Sequence, residues 1–267
     1  QAVSVPQPLR LNKERTAVVL AAIALPTDAS SALTRDIFRT HFEQSLFGGG
    51  DYRPPPFEKL FSAGVTALPA AVLAMGLGLG GGSYTLDAAC ASSIYAVKLA
   101  CDMLHSHRVD AVLAGGVSRP ECLYTQVGFS QLRALSPSGR CAPFDKSADG
   151  LVVGEGTGIL VLKRLEDALK ERDAIYGLIR GIGLSNDMRG NLLAPESDGQ
   201  LRAMQAAYRS ARWTPDDVDL IECHGAGTPV GDATELTSLR RLLKPNEDRL
   251  KPCAIGSVKS MIGHLLT

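Results

Sequence analysis

The chain is 267 residues long, 45% hydrophobic and 21% charged, with Lys plus Arg equal to Asp plus Glu at 28 each. That length and balance predict a soluble globular fold with a large core, and nothing suggests a nucleic-acid surface or a polybasic membrane anchor. No run approaches the roughly 18 apolar residues that span a bilayer, and the polar, proline-punctuated start Gln1 to Arg10 has no signal-peptide pattern.

The six cysteines, Cys90, Cys101, Cys122, Cys141, Cys223 and Cys253, are scattered, with no Cys-x-x-Cys pair and no histidine spaced to complete a zinc site. This usage fits thiols in a reducing cytoplasm, and no metal is expected. The start without Met and the stop at His264-Leu-Leu-Thr267, just past a glycine turn, lead us to expect a piece of a longer polypeptide.

In chain order, Thr16 to Ile23 (TAVVLAAI) is a continuous apolar run, the pattern of a strand covered on both faces. Asp28 to Ser30 can cap a helix with Leu33, Ile37 and Phe38 on one side, Gly48 to Pro56 is a loop, and Val65 to Leu77 reads as an apolar helix. The run Gly76-Leu-Gly-Leu-Gly-Gly-Gly82 has the glycine density of a dinucleotide fingerprint. That motif follows a strand and opens a helix; here a helix precedes and a strand, Ser83 to Leu86, follows, so no nucleotide site is expected.

The next helix carries Ile94, Val97, Cys101 and Leu104 at helical spacing, which predicts its buried face. His105 and His107 at its end read as a solvated cap. Asp110 to Gly116 predicts a buried strand ending in glycines, and Ser136 to Gly150 an ordered loop in which Pro143 and Phe144 pack. A strand at Thr157 to Leu162, a helix at Lys163 to Glu171 and a strand at Ile175 to Ile182 follow. Ser197 with Gln200 forms a capping box for a helix striped by Leu201, Met204, Tyr208 and Ala211. The chain continues with a buried strand at Val218 to Cys223, a helix at Thr234 to Leu243 and a last strand at Ala254 to Val258. Strands alternating with helices predict an α/β fold with largely parallel, doubly covered sheets.

Three stretches carry chemistry. Thr85 to Ser93 places Cys90 at a tight strand-to-helix turn among small residues, where the helix N-terminus eases ionisation of a thiol. Asp219 to Thr228 (DLIECHGAGT) runs from a strand into His224 and two glycines, and Ile255 to Leu265 (IGSVKSMIGHL) runs from a strand through Lys259 to Gly263-His264. Taken singly, a cysteine is more often an inert core residue and a histidine a structural one. Three reactive side chains beyond three strand ends, where open α/β sheets bind ligands, point instead to one Cys–His–His site.

These stretches resemble the motifs of β-ketoacyl synthases. Asp87-Ala-Ala-Cys-Ala-Ser-Ser93 is similar to the nucleophile motif, Glu222-Cys-His-Gly-Ala-Gly-Thr228 to the first histidine motif, and Gly256-Ser-Val-Lys-Ser-Met-Ile-Gly-His264 to the Lys/His motif. Leu135 to Asp145 and Asp149 to Gly156 also look like family blocks, and the wording from Ser83 to Leu135 most resembles iterative polyketide and polyunsaturated fatty acid synthases. The resemblance implies the thiolase fold, five layers α-β-α-β-α, usually as a homodimer. It implies decarboxylative Claisen condensation of an acyl chain on Cys90 with a malonyl-type extender. Both substrates would ride on the phosphopantetheine of an acyl carrier protein within a larger synthase, with no cofactor bound directly. His224 and His264 would donate to the enolate oxygen, and the Cys90 amide would form half of the oxyanion hole. Lys259 would tune the histidines, with Glu235 as its partner, and Thr228 would contact the pantetheine. Where the family usually has threonine two positions after the first histidine, this chain has Ala226.

The family's glycine-rich loop bearing the second oxyanion donor has no counterpart here, nor does the front of the family domain before Thr16. Residues 1–267 are therefore expected to be a single ketosynthase domain fragment, incomplete at both ends: the N-terminal half plus the start of the C-terminal half. The alternatives are a coenzyme A-dependent thiolase, which usually pairs one histidine with a second cysteine, and a non-catalytic chain-length-factor-like or docking partner, which usually lacks the nucleophile.

Overall fold

The structure, a computed structural model, describes residues 11–23, 68–118, 123–190, 194–243 and 252–267. The helix expected after Asp28 to Ser30 and the loop Gly48 to Pro56 lie outside the described residues. The chain forms two compact units, one of residues 1–126, 157–167 and 267, the other of residues 127–156 and 168–266. Among the described residues no helix is long and apolar enough to cross a membrane.

The first unit is built on β1 (Thr16–Ala21), every residue of which is buried. Strands β2 (Ser83–Leu86), β3 (Ala111–Ser118) and β4 (Gly156–Lys163) complete a sheet of order β2-β1-β3-β4. Both β2 and β3 run parallel to β1. Alternation along β1 explains the unbroken apolar run. Val18 and Leu20 pack with Ala70 and Ala74 of helix α1 (Leu68–Leu77), while Ala17, Val19 and Ala21 pack with Ala96 and Ala100 of helix α2 (Ser92–His105).

The glycine run between α1 and β2 holds no cradle for a phosphate, because the amides of Gly78, Leu79, Gly80 and Gly81 all donate to protein carbonyls. Gly81 crosses the start of β1 so closely that a Cβ there would lie 2.6 Å from the Thr16 carbonyl carbon.

The buried face of α2 differs from the expectation. Ser92, Ala96, Ala100, Met103 and Leu104 are buried, whereas Ile94 is 53% exposed and Val97 and Cys101 are half-buried. Small residues every fourth position let the helix axis close on β1 and β3, and that advantage outweighs the greater hydrophobicity of the Ile94 stripe. The glycines of β3 lie inside the strand rather than at its end; a Cβ on Gly115 would sit 1.9 Å from the Gly158 carbonyl oxygen of β4. At the far end of α2, His105 and His107 are exposed. Arg164 donates to the carbonyls of Leu104 and Val109 and to Asp110, whose carboxyl is held down to about 2 by Arg15 and Arg164.

In the second unit, helices α3 (Ser197–Ala211) and α4 (Pro229–Leu243) pack together, and β5 (Leu220–Glu222) pairs in parallel with β6 (Ala254–Gly256). A four-residue helix, α5 (Lys259–Ile262), follows. Helices also span Leu123–Gln131 and Leu165–Glu171. The Ser197/Gln200 capping box does not form, because Glu196 occupies the N-cap position. Ser197 Oγ instead accepts from Arg241, and Gln200 accepts from the buried Ser238, so both tie α3 to α4. The strand expected at Ile175 to Ile182 makes no ladder among the described residues. Nearby, Gly181 and Gly183 press against the α3 backbone, where a Cβ on Gly183 would meet the Ala203 oxygen at 1.9 Å. β5 is shorter and more open than expected: Val218 closes a 3-10 turn onto Pro215, and Leu220 is 63% exposed. β6 ends early because the Val258 amide turns aside to the Glu222 carboxylate at 2.7 Å.

The assignment of the α2 face has a direct test. Ala100→Leu overpacks the stripe against β1 and is expected to lower stability by about 1–3 kcal/mol, whereas Ile94→Ser should stay within about 0.5 kcal/mol; urea unfolding of the two variants measures both.

Candidate functional site

In the first unit, β2 ends at Leu86 and the chain turns through Asp87 to Ala91 into α2. Cys90 lies two residues ahead of the first helical residue and is exposed. The residue before it, Ala89, has φ +51°, a left-handed conformation that alanine seldom adopts. Hydrogen bonds across the turn hold it there. The Ala89 amide donates to Asp87 Oδ1 at 2.8 Å, the Ala88 amide to Ser92 Oγ at 2.8 Å, and Ser92 Oγ and the Ser92 amide to the Ala89 carbonyl at 2.6 and 3.0 Å.

In the second unit, the parallel pairing of β5 and β6 sends His224 and Lys259 out from the same end of the sheet, two residues past Glu222 and three past Gly256. The loop after β5 leaves its amides without strand partners, and carboxylates of α4 take them. Glu235 Oε1 accepts the His224 amide at 2.7 Å and Oε2 the Gly225 amide at 2.8 Å. Glu235 thus grips the histidine loop; it was expected as the partner of Lys259, and its hydrogen bonds among the described residues go to these two amides.

One turn earlier on the same helix face, Asp232 is 5% exposed and accepts the amides of Gly227 at 3.2 Å and Phe144 at 2.8 Å. Sequence reading passed over Asp232, although its place three residues before Glu235 sets both on one face of the helix. Ser257 Oγ closes the loop from the other side, donating to Gly225 O at 3.0 Å.

His264 is 3% exposed and strapped on both sides to the stretch after Gly150. Its amide donates to Val152 O at 2.7 Å, and its carbonyl accepts from Gly154 at 2.9 Å. Gly263, at φ +73°, makes the turn that brings it there from α5. The rings of His224 and His264 meet edge to face, 5.2 Å between centroids and 81° between planes.

The Leu266 amide donates to His264 Nδ1 at 2.9 Å. A nitrogen that accepts carries no proton, so in the neutral ring the hydrogen sits on Nε2. Burial, then His224 and Lys259, push the His264 pKa down to about 4. His224 keeps solvent access at its surface. Even so, the protein packed around its ring, followed by the Lys259 cation, depresses its pKa against the weaker upward pull of Glu235 and Asp232. Both imidazoles are therefore neutral near pH 7. Lys259 opens α5, half-buried.

Thr228 leads into α4, with its carbonyl accepting the Asp232 amide at 2.9 Å. Ala226 is buried, and its carbonyl faces Cys141 Sγ at 3.7 Å, so the block around Cys141 to Asp145 packs directly on the His224 loop.

Comparison with known proteins agrees with this geometry. The family description Beta-ketoacyl synthase, N-terminal domain, matches residues 10–168, and Beta-ketoacyl synthase, C-terminal domain, matches residues 176–267. The chain is 43% identical over 191 residues to one phenolphthiocerol/phthiocerol polyketide synthase protein of Mycobacterium tuberculosis, 71% of this chain against 10% of that protein. It is 45% identical over 193 residues to a second protein of the same synthase, 71% against 12%. Among solved structures, the ketosynthase from module 6 of the bacillaene synthase from Bacillus subtilis 168 has a TM-score of 0.78 at 33% identity, covering 96% of this chain and 41% of that one. PfaC Keto synthase-Chain length factor has a TM-score of 0.80 at 39% identity, covering 94% and 28%. The α/β fold is thus thiolase-like, as in these ketosynthases, and the chain spans about a tenth of the length of the curated relatives it matches.

The depressed histidine makes stability depend on pH with a definite sign. Above the ordinary value of 6.5 His264 is neutral both folded and unfolded, so it contributes no pH dependence. As pH falls from 6.5 towards 4, the unfolded chain takes up a proton that the folded site refuses, and the native state loses stability. The loss is on the order of 3 kcal/mol near pH 4. Urea unfolding between these limits should show the wild type weakening and His264→Gln responding with a flatter slope.

Proposed function

This chain belongs to the β-ketoacyl synthase family, and from that membership we propose that it takes part in decarboxylative Claisen condensation. The thiolate of Cys90 attacks the thioester of an acyl chain carried on phosphopantetheine. The carrier thiol leaves, and the acyl group remains on Sγ. A malonyl-type extender, also on a carrier protein, then loses its carboxylate as CO₂, and the electron pair left at its α-carbon attacks the acyl carbonyl. The new C–C bond forms as the Cys90 thiolate departs. Charge develops on two oxygens during this sequence. The enolate oxygen of the extender is proposed to be met by His224 and His264, and the oxygen of the acyl group by the Cys90 amide.

The observation that carries this reading is the Leu266 amide on His264 Nδ1. It leaves Nε2–H as the ring's donor, and burial together with Lys259 keeps the ring neutral. A preset neutral donor suits a developing oxyanion, and one such donor contributes about 3–4 kcal/mol to the barrier it lowers. Lys259 acts through its field on both histidines, Glu235 by holding the His224 loop, and Thr228 by contact with the pantetheine arm. The small residues around Cys90 leave room for an acyl thioester to approach. Acyl carrier protein as partner and neighbouring domains of a larger synthase belong to the same reading, which the polyketide synthase relatives support.

Incubation of the protein with an acylated carrier protein, followed by mass spectrometry of the Cys90 peptide, tests the nucleophile. Wild type should carry the acyl mass and Cys90→Ala none; equal adduct in both would overturn the assignment. His264→Ala should load acyl groups at the wild-type rate yet lower malonyl decarboxylation by about 100-fold or more. Loss of loading alone would mean that the histidine roles are misassigned.

A further inference from the structure

We infer that Ser92 is the positioning residue of the nucleophile elbow, its buried hydroxyl holding Ala89 left-handed and so fixing where Cys90 stands at the head of α2. The inference deepens the reading of Cys90 as nucleophile and rests on it. Ser92 is completely buried and has no part in the condensation chemistry described above.

Its Oγ does two things at once. It accepts the Ala88 amide at 2.8 Å and donates to the Ala89 carbonyl at 2.6 Å, so one atom ties the Asp87–Ala88 peptide to the Ala89–Cys90 peptide and spans the strained residue. The Ser92 amide adds a second bond to the same carbonyl at 3.0 Å. On the other side, Asp87 Oδ1 takes the Ala89 amide at 2.8 Å. An alanine at φ +51° persists only where its surroundings over-determine it. Here Ser92 makes three of the four hydrogen bonds just named. Because Ser92 is sealed from solvent, no water can replace the hydroxyl, and its loss leaves the Ala88 amide unsatisfied. Ala89 then relaxes to an ordinary conformation, and the residue that follows it, Cys90, swings away from the helix N-terminus. Serine in the first turn of a helix usually caps that helix; this one faces backwards and caps the turn that precedes it.

The test is alkylation of Cys90 by iodoacetamide, in which the thiolate displaces iodide, read at the Cys90 peptide by mass spectrometry between about pH 6 and pH 9. Ser92→Ala should slow alkylation about tenfold at neutral pH and move the midpoint of the pH profile up by about one unit. Ser92→Thr, which retains the hydroxyl, should stay within about twofold of wild type. Ala89→Gly in the Ser92→Ala background should recover most of the lost rate, because glycine takes a positive φ freely.

Thermal unfolding followed by circular dichroism accompanies each variant. A folded Ser92→Ala protein with the wild-type rate and midpoint overturns the inference. So does a slowed Ser92→Thr protein that keeps the wild-type unfolding temperature. Should Ser92→Ala fail to fold, the threonine and the double variant still decide. Wild-type Cys90 reacting no faster than Cys253 would overturn the nucleophile reading itself. A fast wild-type Cys90 with an equally fast Ser92→Ala variant would overturn only the role of Ser92.

Discussion

Backbone N–H groups beyond the end of a strand have no neighbouring strand to take them, and in both units side-chain oxygens do so. Ser92 and Asp87 accept the amides around Cys90, and Glu222, Asp232 and Glu235 accept those around His224 and Lys259. Without these acceptors the turns could adopt other conformations, and the reactive side chains would have no fixed place. The same demand explains where the acceptors come from. Those of the second unit sit on β5 and the first two turns of α4, where fixed geometry aims them; those of the first unit sit on the first residue of the turn and the first residue after it.

The second constraint is electrostatic. A cation, Lys259, and two imidazoles lie in one loop cluster, and like charges there would repel. The conflict is resolved by keeping both rings neutral. The cost of hydrating neither ring fully is offset by hydrogen bonds that neutral rings can still make, among them the one from Leu266. Leu266 itself has φ +68° and is almost wholly buried, so the direction of its amide is set by packing.

Much of the fold was legible because burial on both faces leaves a plain mark. The unbroken apolar run at β1 and the passage from the short extended run Ser83 to Leu86 into a helix needed no structure. The Cys90, His224 and His264 stretches stood out for a different reason: each sets a cysteine or histidine beside glycines or alanines downstream of a strand. What escaped was decided by partners distant in sequence. Ser197 and Gln200 have the spacing of a capping box, yet Arg241 and Ser238 claim them across α3 and α4. Asp232 serves an amide 88 positions away, at Phe144. The buried face of α2 was misjudged because hydrophobicity scales favour Ile94, while close approach to a sheet favours Ala96 and Ala100. The run from Ile175 looks like a strand by composition, but strand formation needs a partner edge and none pairs with it among the described residues.

The Leu266 amide bears on what the His264 ring can bind. With the Nδ1 lone pair occupied, the ring offers only hydrogen towards a ligand, so it recognises carbonyls, enolates and other lone-pair bearers. A compound that presents an amine or amide N–H at the same point meets another N–H and is turned away. Soft metal ions face the same barrier, since coordination at Nε2 requires the proton to leave and the Leu266 bond to be given up. The ring's choice of partner is therefore set by one backbone hydrogen bond, made at the nitrogen opposite the one that it offers.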